Sequence, residues 1–292
     1  MTRDLFFTLP VTLLGLAALS VTASAQPQNL FVSDVISGNI YRYSPSGVQS
    51  TFAVGLNQPG GLAFDSNRNL FVAASGSGQI FKYTPQGVRS TFASGLAFPV
   101  GLAFDGSGNL FAADPNTNHI YEYTPGGVRS TFTTVVNFPY ALAFDGSGNL
   151  YVGDAGSSVF KFTPGGIEST FATGLNQPAG LTFDSSGNLY EADAGSGHIY
   201  KFTPGGVQSL FATTGDPNGL AIDHNDNLFA ATFLRDTIIK VTPGGAVSTF
   251  ASGLNLPEAI AFTDVTPEPG SMALLIGSLA GAGFALRRRA RR

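Results

Sequence analysis

The sequence predicts an all-β fold, a six-bladed β-propeller of four-stranded antiparallel blades, on three observations. A unit of about forty residues recurs along the chain, each copy holds four short strand-like runs, and the ends of the repeat region together complete one unit. An Asn-Leu-aromatic triplet marks the copies at Asn29, Asn69, Asn109, Asn149, Asn188 and Asn227, at spacings of 40, 40, 40, 39 and 39 residues. One small sheet cannot bury both of its faces until neighbours stack on it, so a four-stranded repeat of this period reads as a propeller blade.

The copy from Pro99 to Phe132 shows the elements in order. GLAFD, NLFAAD, HIYEY and VRSTF are runs rich in aromatic and branched residues, each bounded by turn residues, and they predict four strands. Asp105 to Asn109 (Asp-Gly-Ser-Gly-Asn) joins the first two, with the Asp side chain capping the turn. Thr124 to Gly127 (Thr-Pro-Gly-Gly) joins the last two and fits a type II turn, Pro second and Gly third. The repeat region opens at a second strand, Asn29 to Asp34, and ends with a first strand, Ala259 to Phe262. The C-terminal strand, about residues 258–264, is therefore expected to pair with the N-terminal blade and close the ring, which removes two free sheet edges.

Composition fits tight turns and close-packed sheets: 37 Gly, 25 Phe, 12% charged residues and no cysteine. Disulfides and thiol chemistry are excluded, and aromatic packing between blades has to supply stability. The propeller region, 26–265, holds nine Lys and Arg against seventeen Asp and Glu, a net charge of −8. Phosphate binding needs a basic stripe, so nucleic acid is not an expected partner.

Both ends read as addressing segments. Residues 1–25 combine Arg3, an apolar stretch from Leu5 to Leu19, and Ala23-Ser24-Ala25, the pattern of a secretory signal peptide cleaved after Ala25. A retained N-terminal anchor is the alternative, and both export the propeller. Residues 266–292 carry Pro267-Glu268-Pro269, an apolar run from Met272 to Leu286, and an arginine cluster ending at Arg292. The run is short for a membrane helix, although arginine side chains can snorkel to extend it, and the cluster favours the cytoplasmic side. This three-part order resembles the PEP-CTERM sorting signal of Gram-negative bacteria. The resemblance implies a transient inner-membrane anchor, recognition and tail removal by an exosortase, and delivery to the cell surface or an exopolysaccharide matrix; an uncleaved stop-transfer helix is the other reading.

The Pro-x-Gly-Leu-Ala-Phe-Asp and Gly-Asn-Leu-aromatic stretches resemble the NHL-repeat superfamily across nearly all of Asn29 to Asp264. That resemblance implies a binding or scaffold propeller, with extracellular polysaccharide or another surface protein as partner. The alternative it implies is a metal-dependent lactonase or lyase of the gluconolactonase or virginiamycin B lyase type.

Most polar repeat positions have a structural explanation. Asp65, Asp105, Asp145, Asp184 and Asp223 each open the same turn and are expected to cap it. Asp34, Asp114, Asp154 and Asp193 end second strands, where Ala74 and Thr232 stand in the other copies, which points to local hydrogen bonding. His119 and His198 share a strand-start position with Asn39 and Gln79, and His224 lies in a turn. Glu191 replaces the Val or Ala of other second strands; a buried functional carboxylate is one reading, and an edge-exposed or paired glutamate is the expected one, because an unpartnered buried acid is costly. The copies differ informatively at the residue after the proline that opens each innermost strand: Gly60, Val100, Tyr140, Ala179, Asn218 and Glu258. These six are expected to ring one channel mouth. No cofactor is expected overall, with a divalent cation, calcium or magnesium, on the oxygens of Asn218 and Glu258 as the candidate site. Pro217 to Leu220 resembles the strand start that supplies an asparagine metal ligand in gluconolactonases, and Glu258 is similarly placed to that family's first-strand glutamate. The family's aspartate ligand has no counterpart here, and Tyr140 would be an unusual replacement.

Overall fold

The computed structural model describes residues 28–263. The signal segment with Ala23 and Ala25, and the sorting segment with Pro267, Glu268 and Pro269, lie outside the described residues.

Strands β1 (Leu30–Asp34), β2 (Asn39–Tyr43) and β3 (Gln49–Ala53) come first. Blade 2 is β4 to β7 (Pro59–Phe64, Leu70–Ala74, Gln79–Tyr83, Arg89–Ser94), and blade 3 is β8 to β11 (Leu102–Phe104, Leu110–Asp114, His119–Tyr123, Arg129–Thr133). Blade 4 is β12 to β15 (Pro139–Phe144, Leu150–Asp154, Ser158–Phe162, Glu168–Thr173), and blade 5 is β16 to β19 (Pro178–Phe183, Leu189–Asp193, His198–Phe202, Gln208–Thr213). Blade 6 is β20 to β23 (Pro217–Ile222, Leu228–Thr232, Thr237–Val241, Val247–Ser252), and β24 (Pro257–Phe262) ends the described chain. The sheets are six and four-stranded, and blade 1 has the order β24-β1-β2-β3. The antiparallel pairing of β24 with β1 matches Leu30 to Phe262 and Val32 to Ile260, so the ring closes as the phase of the ends predicts.

Each second strand is buried on both faces and packs a different neighbour with each. Phe71 and Ala73 of blade 2 meet Leu110 and Ala112 of blade 3, so the even positions of one blade face the odd positions of the next. Phe71 also takes Phe92 and Phe104 edge-on, at centroid distances of 4.9 and 5.0 Å. Phe92 then reaches Tyr123 of blade 3 at 5.7 Å, and the pattern repeats with Phe132 and Phe162. Each such pair adds about 0.5–1.5 kcal/mol beyond area burial, which explains how a chain without disulfides holds a ring together.

At the axis the innermost strands nearly touch. The Gly61 amide donates to the Val100 carbonyl of the next blade at 2.9 Å. A Cβ at Gly61, Gly101 or Gly180 would run into the carbonyl oxygen of Val100, Tyr140 or Asn218, so glycine here answers a close backbone approach.

The repeat aspartates cap their turns as expected: Asp105 Oδ1 accepts from the Ser107 and Asn109 amides at 2.9 and 2.7 Å. The Thr-Pro-Gly-Gly turn differs from its expected type. The Gly127 amide donates to the Thr124 carbonyl at 2.8 Å, but the positive φ, 82°, falls on Gly127, the fourth residue, rather than on Gly126. This is a type I turn followed by a left-handed glycine, which suits the right-handed twist of a hairpin better than a type II turn does.

Candidate functional site: the mouth of the central channel

Register shifts follow the proline in β4, β12, β16 and β20, as between Pro139 and Ala141 or between Pro217 and Leu220. A bulge re-aims the side chain it contains. Val100, Tyr140, Ala179, Asn218 and Glu258 consequently line one axial cavity of about 120 Å³. Gly60 joins them, since a Cβ there would sit 3.2 Å from Glu258 Oε1. The six variable positions thus ring one mouth.

Tyr140 reaches across that mouth from blade 4, opposite blade 1, and its hydroxyl donates to Glu258 Oε1 at 2.7 Å. The Asn218 side chain hydrogen-bonds the same hydroxyl. Burial raises the Tyr140 pKa well above its ordinary value, and the Glu258 charge adds to it. Burial also raises the Glu258 pKa, opposed by the hydrogen bond from Tyr140. Tyr140, discounted as a metal ligand in the sequence, is the group that joins Asn218 to Glu258.

This donor set does not fit a resident divalent cation. Calcium takes six to eight oxygens, whereas the mouth offers one carboxylate, one amide oxygen and a tyrosine hydroxyl, and that hydroxyl already occupies one carboxylate oxygen. Among the described residues no group of three or more His, Cys, Asp or Glu could hold a metal ion.

The strand-end aspartates serve the backbone. Asp114 accepts from the Ala97 and Phe98 amides at 2.7 and 2.9 Å, and Asp193 accepts from the Asn176 amide at 2.7 Å. His119 Nδ1 lies 2.6 Å from the Thr117 carbonyl, and His198 Nδ1 lies 3.2 Å from Thr213 Oγ1 on the paired strand β19 of the same blade, so each histidine has a local partner.

Glu191 overturns its expectation. It is 0% exposed, and neither carboxylate oxygen has a hydrogen-bond partner. Burial pushes its pKa up to about 9, with the Asp193 charge adding to the rise, so it is a neutral acid at pH 7. Leu189, two residues earlier on the same face, packs against blade 4, so Glu191 faces that blade too. There Gly153 stands where the other blades have Ser33, Ala73, Ala113, Ala192 and Ala231, and a Cβ on it would sit 2.7 Å from the Pro178 carbonyl oxygen of blade 5.

A second cavity, about 400 Å³, opens beside the mouth on the same face. It lies over blade 5 and the adjoining edge of blade 4, where the turns after the second strands carry small residues, Ala194 and Ala155. Phe138 stands on one side; Phe233 and Leu234, in a single 3-10 turn of blade 6, stand on the other. Phe138 is 43% exposed and Leu234 74%. Gln177, Asp216 and Asn218 supply polar atoms. Reading only the innermost strands misses this cavity; its signal was the Phe-Leu-Arg of blade 6 where blades 4 and 5 have Ala-Gly-Ser.

Fold and site together define a six-bladed propeller whose copies diverge at one channel mouth. Among solved structures the chain is similar to one in a nidogen/laminin complex, at 21% identity and a TM-score of 0.75, over 81% of this chain and 98% of that one. It is also similar to virginiamycin B lyase from Staphylococcus aureus, at 14% identity and a TM-score of 0.62, over 82% and 92%. A gluconolactonase from Xanthomonas campestris gives 16% identity and a TM-score of 0.66, over 82% and 91%. No protein-family model and no curated protein matches the chain. At these identities the likeness establishes the fold alone, and function has to be argued from the site.

Proposed function

We propose that the protein is an exported binding or scaffold propeller, held at the cell surface or in the exopolysaccharide matrix of a Gram-negative bacterium after an exosortase removes its tail. Its working face is the mouth ringed by Tyr140, Asn218 and Glu258 together with the cavity beside it. The observation that supports binding is the concentration of differences between copies on that face, while turns, glycines and aromatic stacks repeat around the ring. A lactonase or lyase is the second reading. The half-buried Tyr140–Glu258 pair with its raised pKa values supports it, since perturbed groups in a cleft mark functional sites. The poor cation donor set weighs against it.

Fractionation of a producing host tests the proposal. The protein is expected on the outer surface or in the matrix, with an intact mass that starts at Gln26 and lacks 272–292. Recovery of the whole chain, Met1 to Arg292, from the cytoplasm would overturn it.

A further inference from the structure

We propose that the cavity over blade 5 binds a neutral pyranose ring, as part of a longer saccharide; this rests on the binding-propeller reading above. The cavity has the two-sided character of a sugar. Phe138, Phe233, Leu234 and Pro178 offer apolar surface for the C–H face of a ring, while Gln177, Asp216 and Asn218 offer polar atoms for its hydroxyls. Its volume, about 400 Å³, falls in the range of small-ligand sites.

An apolar peptide side chain fits these groups less well. It would take the exposed Gln177 amide out of water without replacing its hydrogen bonds, a cost that a hydroxyl-bearing ring avoids. Charge selects against acidic sugars. Asp216 belongs to the cavity, Glu258 lies next to it through Tyr140, and Arg235, the cation at this rim, is bound to Asp216 at 3.2 Å. A uronate would therefore meet two carboxylates against one cation already paired through its Nε, on a propeller of net charge −8.

The Phe233-Leu234 wall is a feature of one copy, whereas Phe138 has an aromatic counterpart in Phe98 of blade 3. Blade 5 carries Ala194-Gly195 where blade 6 carries Phe233-Leu234, so a ring with small residues at this turn already exists in the same molecule. Phe138 holds a positive φ of 53°, as Gln58, Gln177 and Leu256 hold positive φ at the same repeat position, and the Asn118 side chain fixes it by accepting from the Phe138 amide at 2.8 Å.

The test is titration of the mature protein from a producing host with neutral tetrasaccharides of glucose, galactose and mannose, and with a uronic tetrasaccharide of equal length, read by saturation-transfer NMR and calorimetry. At least one neutral oligomer is expected to bind, and the uronic one at least tenfold more weakly at low salt. Phe233→Ala with Leu234→Gly should weaken binding at least tenfold while the melting temperature stays within a few degrees. Ala194→Phe, which fills the cavity from its floor, should do the same. The proposal is overturned if no neutral oligomer binds, if the uronic oligomer binds best, if both cavity variants bind as the parent does, or if only apolar peptides bind. Surface or matrix association that survives with these negative results would leave the binding-propeller reading standing and sink only the sugar site. Cytoplasmic recovery together with tight, cavity-dependent sugar binding would do the reverse.

Discussion

Glu191 makes the stability of this protein fall as pH rises, in a window set by one side chain. The acid keeps its proton in the folded ring up to about pH 9, while the unfolded chain releases it near the ordinary value of 4.5. Below pH 4.5 both states hold the proton and the folded state suffers no penalty. Between 4.5 and 9 only the unfolded state ionises, so stability drops by about 1.4 kcal/mol per pH unit. At pH 7 the accumulated loss is about 3 kcal/mol, and at pH 9 about 6 kcal/mol, as orders of magnitude. Glu191→Gln keeps the shape and removes the titration. Thermal unfolding of both proteins from pH 5 to pH 9 should show melting temperatures that diverge with pH. By pH 7 the variant should lead by about 6–12 °C, taking about 2–4 °C per kcal/mol for a chain of this size. Parallel melting curves across that range would refute a neutral buried acid, and so would a variant that is less stable throughout.

The other predictions concern the axis and the ends. Deleting Glu258 to Asp264 removes the innermost strand of blade 1 and should lower the melting temperature of the whole ring; an unchanged value would contradict closure through β24. Gly180→Ala forces a Cβ against the Asn218 carbonyl and should cost about 1–3 kcal/mol, whereas the exposed-turn change Gly146→Ala should cost less than about 1 kcal/mol, and equal losses would contradict the close approach. Millimolar calcium or magnesium should leave the melting temperature unmoved; a rise abolished by Asn218→Ala and by Glu258→Ala would restore the cation site. The surface form should lack 272–292, and intact-mass detection of the arginine cluster on it would refute tail processing.

The architecture was legible because its causes are local and repeated. Five copies carry Asp at the first turn, and all six carry Gly at the last turn and an aromatic residue at the same position of the second strand, so weak signals reinforce one another. The six-residue ring was legible for the same reason, because a proline marks the start of each innermost strand. What escaped the sequence is how side chains of different copies meet. Tyr140 and Glu258 are 118 residues apart and join only because a six-membered ring sets blade 4 opposite blade 1. Glu191 was expected at an edge on the general cost of burying an acid, but burial on both faces is a property of every second strand here.

The Tyr140–Glu258 bond also links the proposed binding face to the closure of the ring. Glu258 sits on β24, the strand that reaches blade 1 only through the return of the C-terminal end of the propeller. Sheet pairing ties that strand to β1 along its edge, and the Tyr140 hydroxyl ties it to blade 4 across the axis. Gly60 leaves the space that lets the Glu258 carboxylate lie over the channel, and Asn218, on neighbouring blade 6, holds the same hydroxyl from the other side. A ligand in the adjoining cavity would touch Tyr140 and Asn218 directly and the closing strand through them. Binding at this face should therefore stabilise the ring at the seam where its two chain ends meet, because anything that binds only the closed ring is linked to its folding.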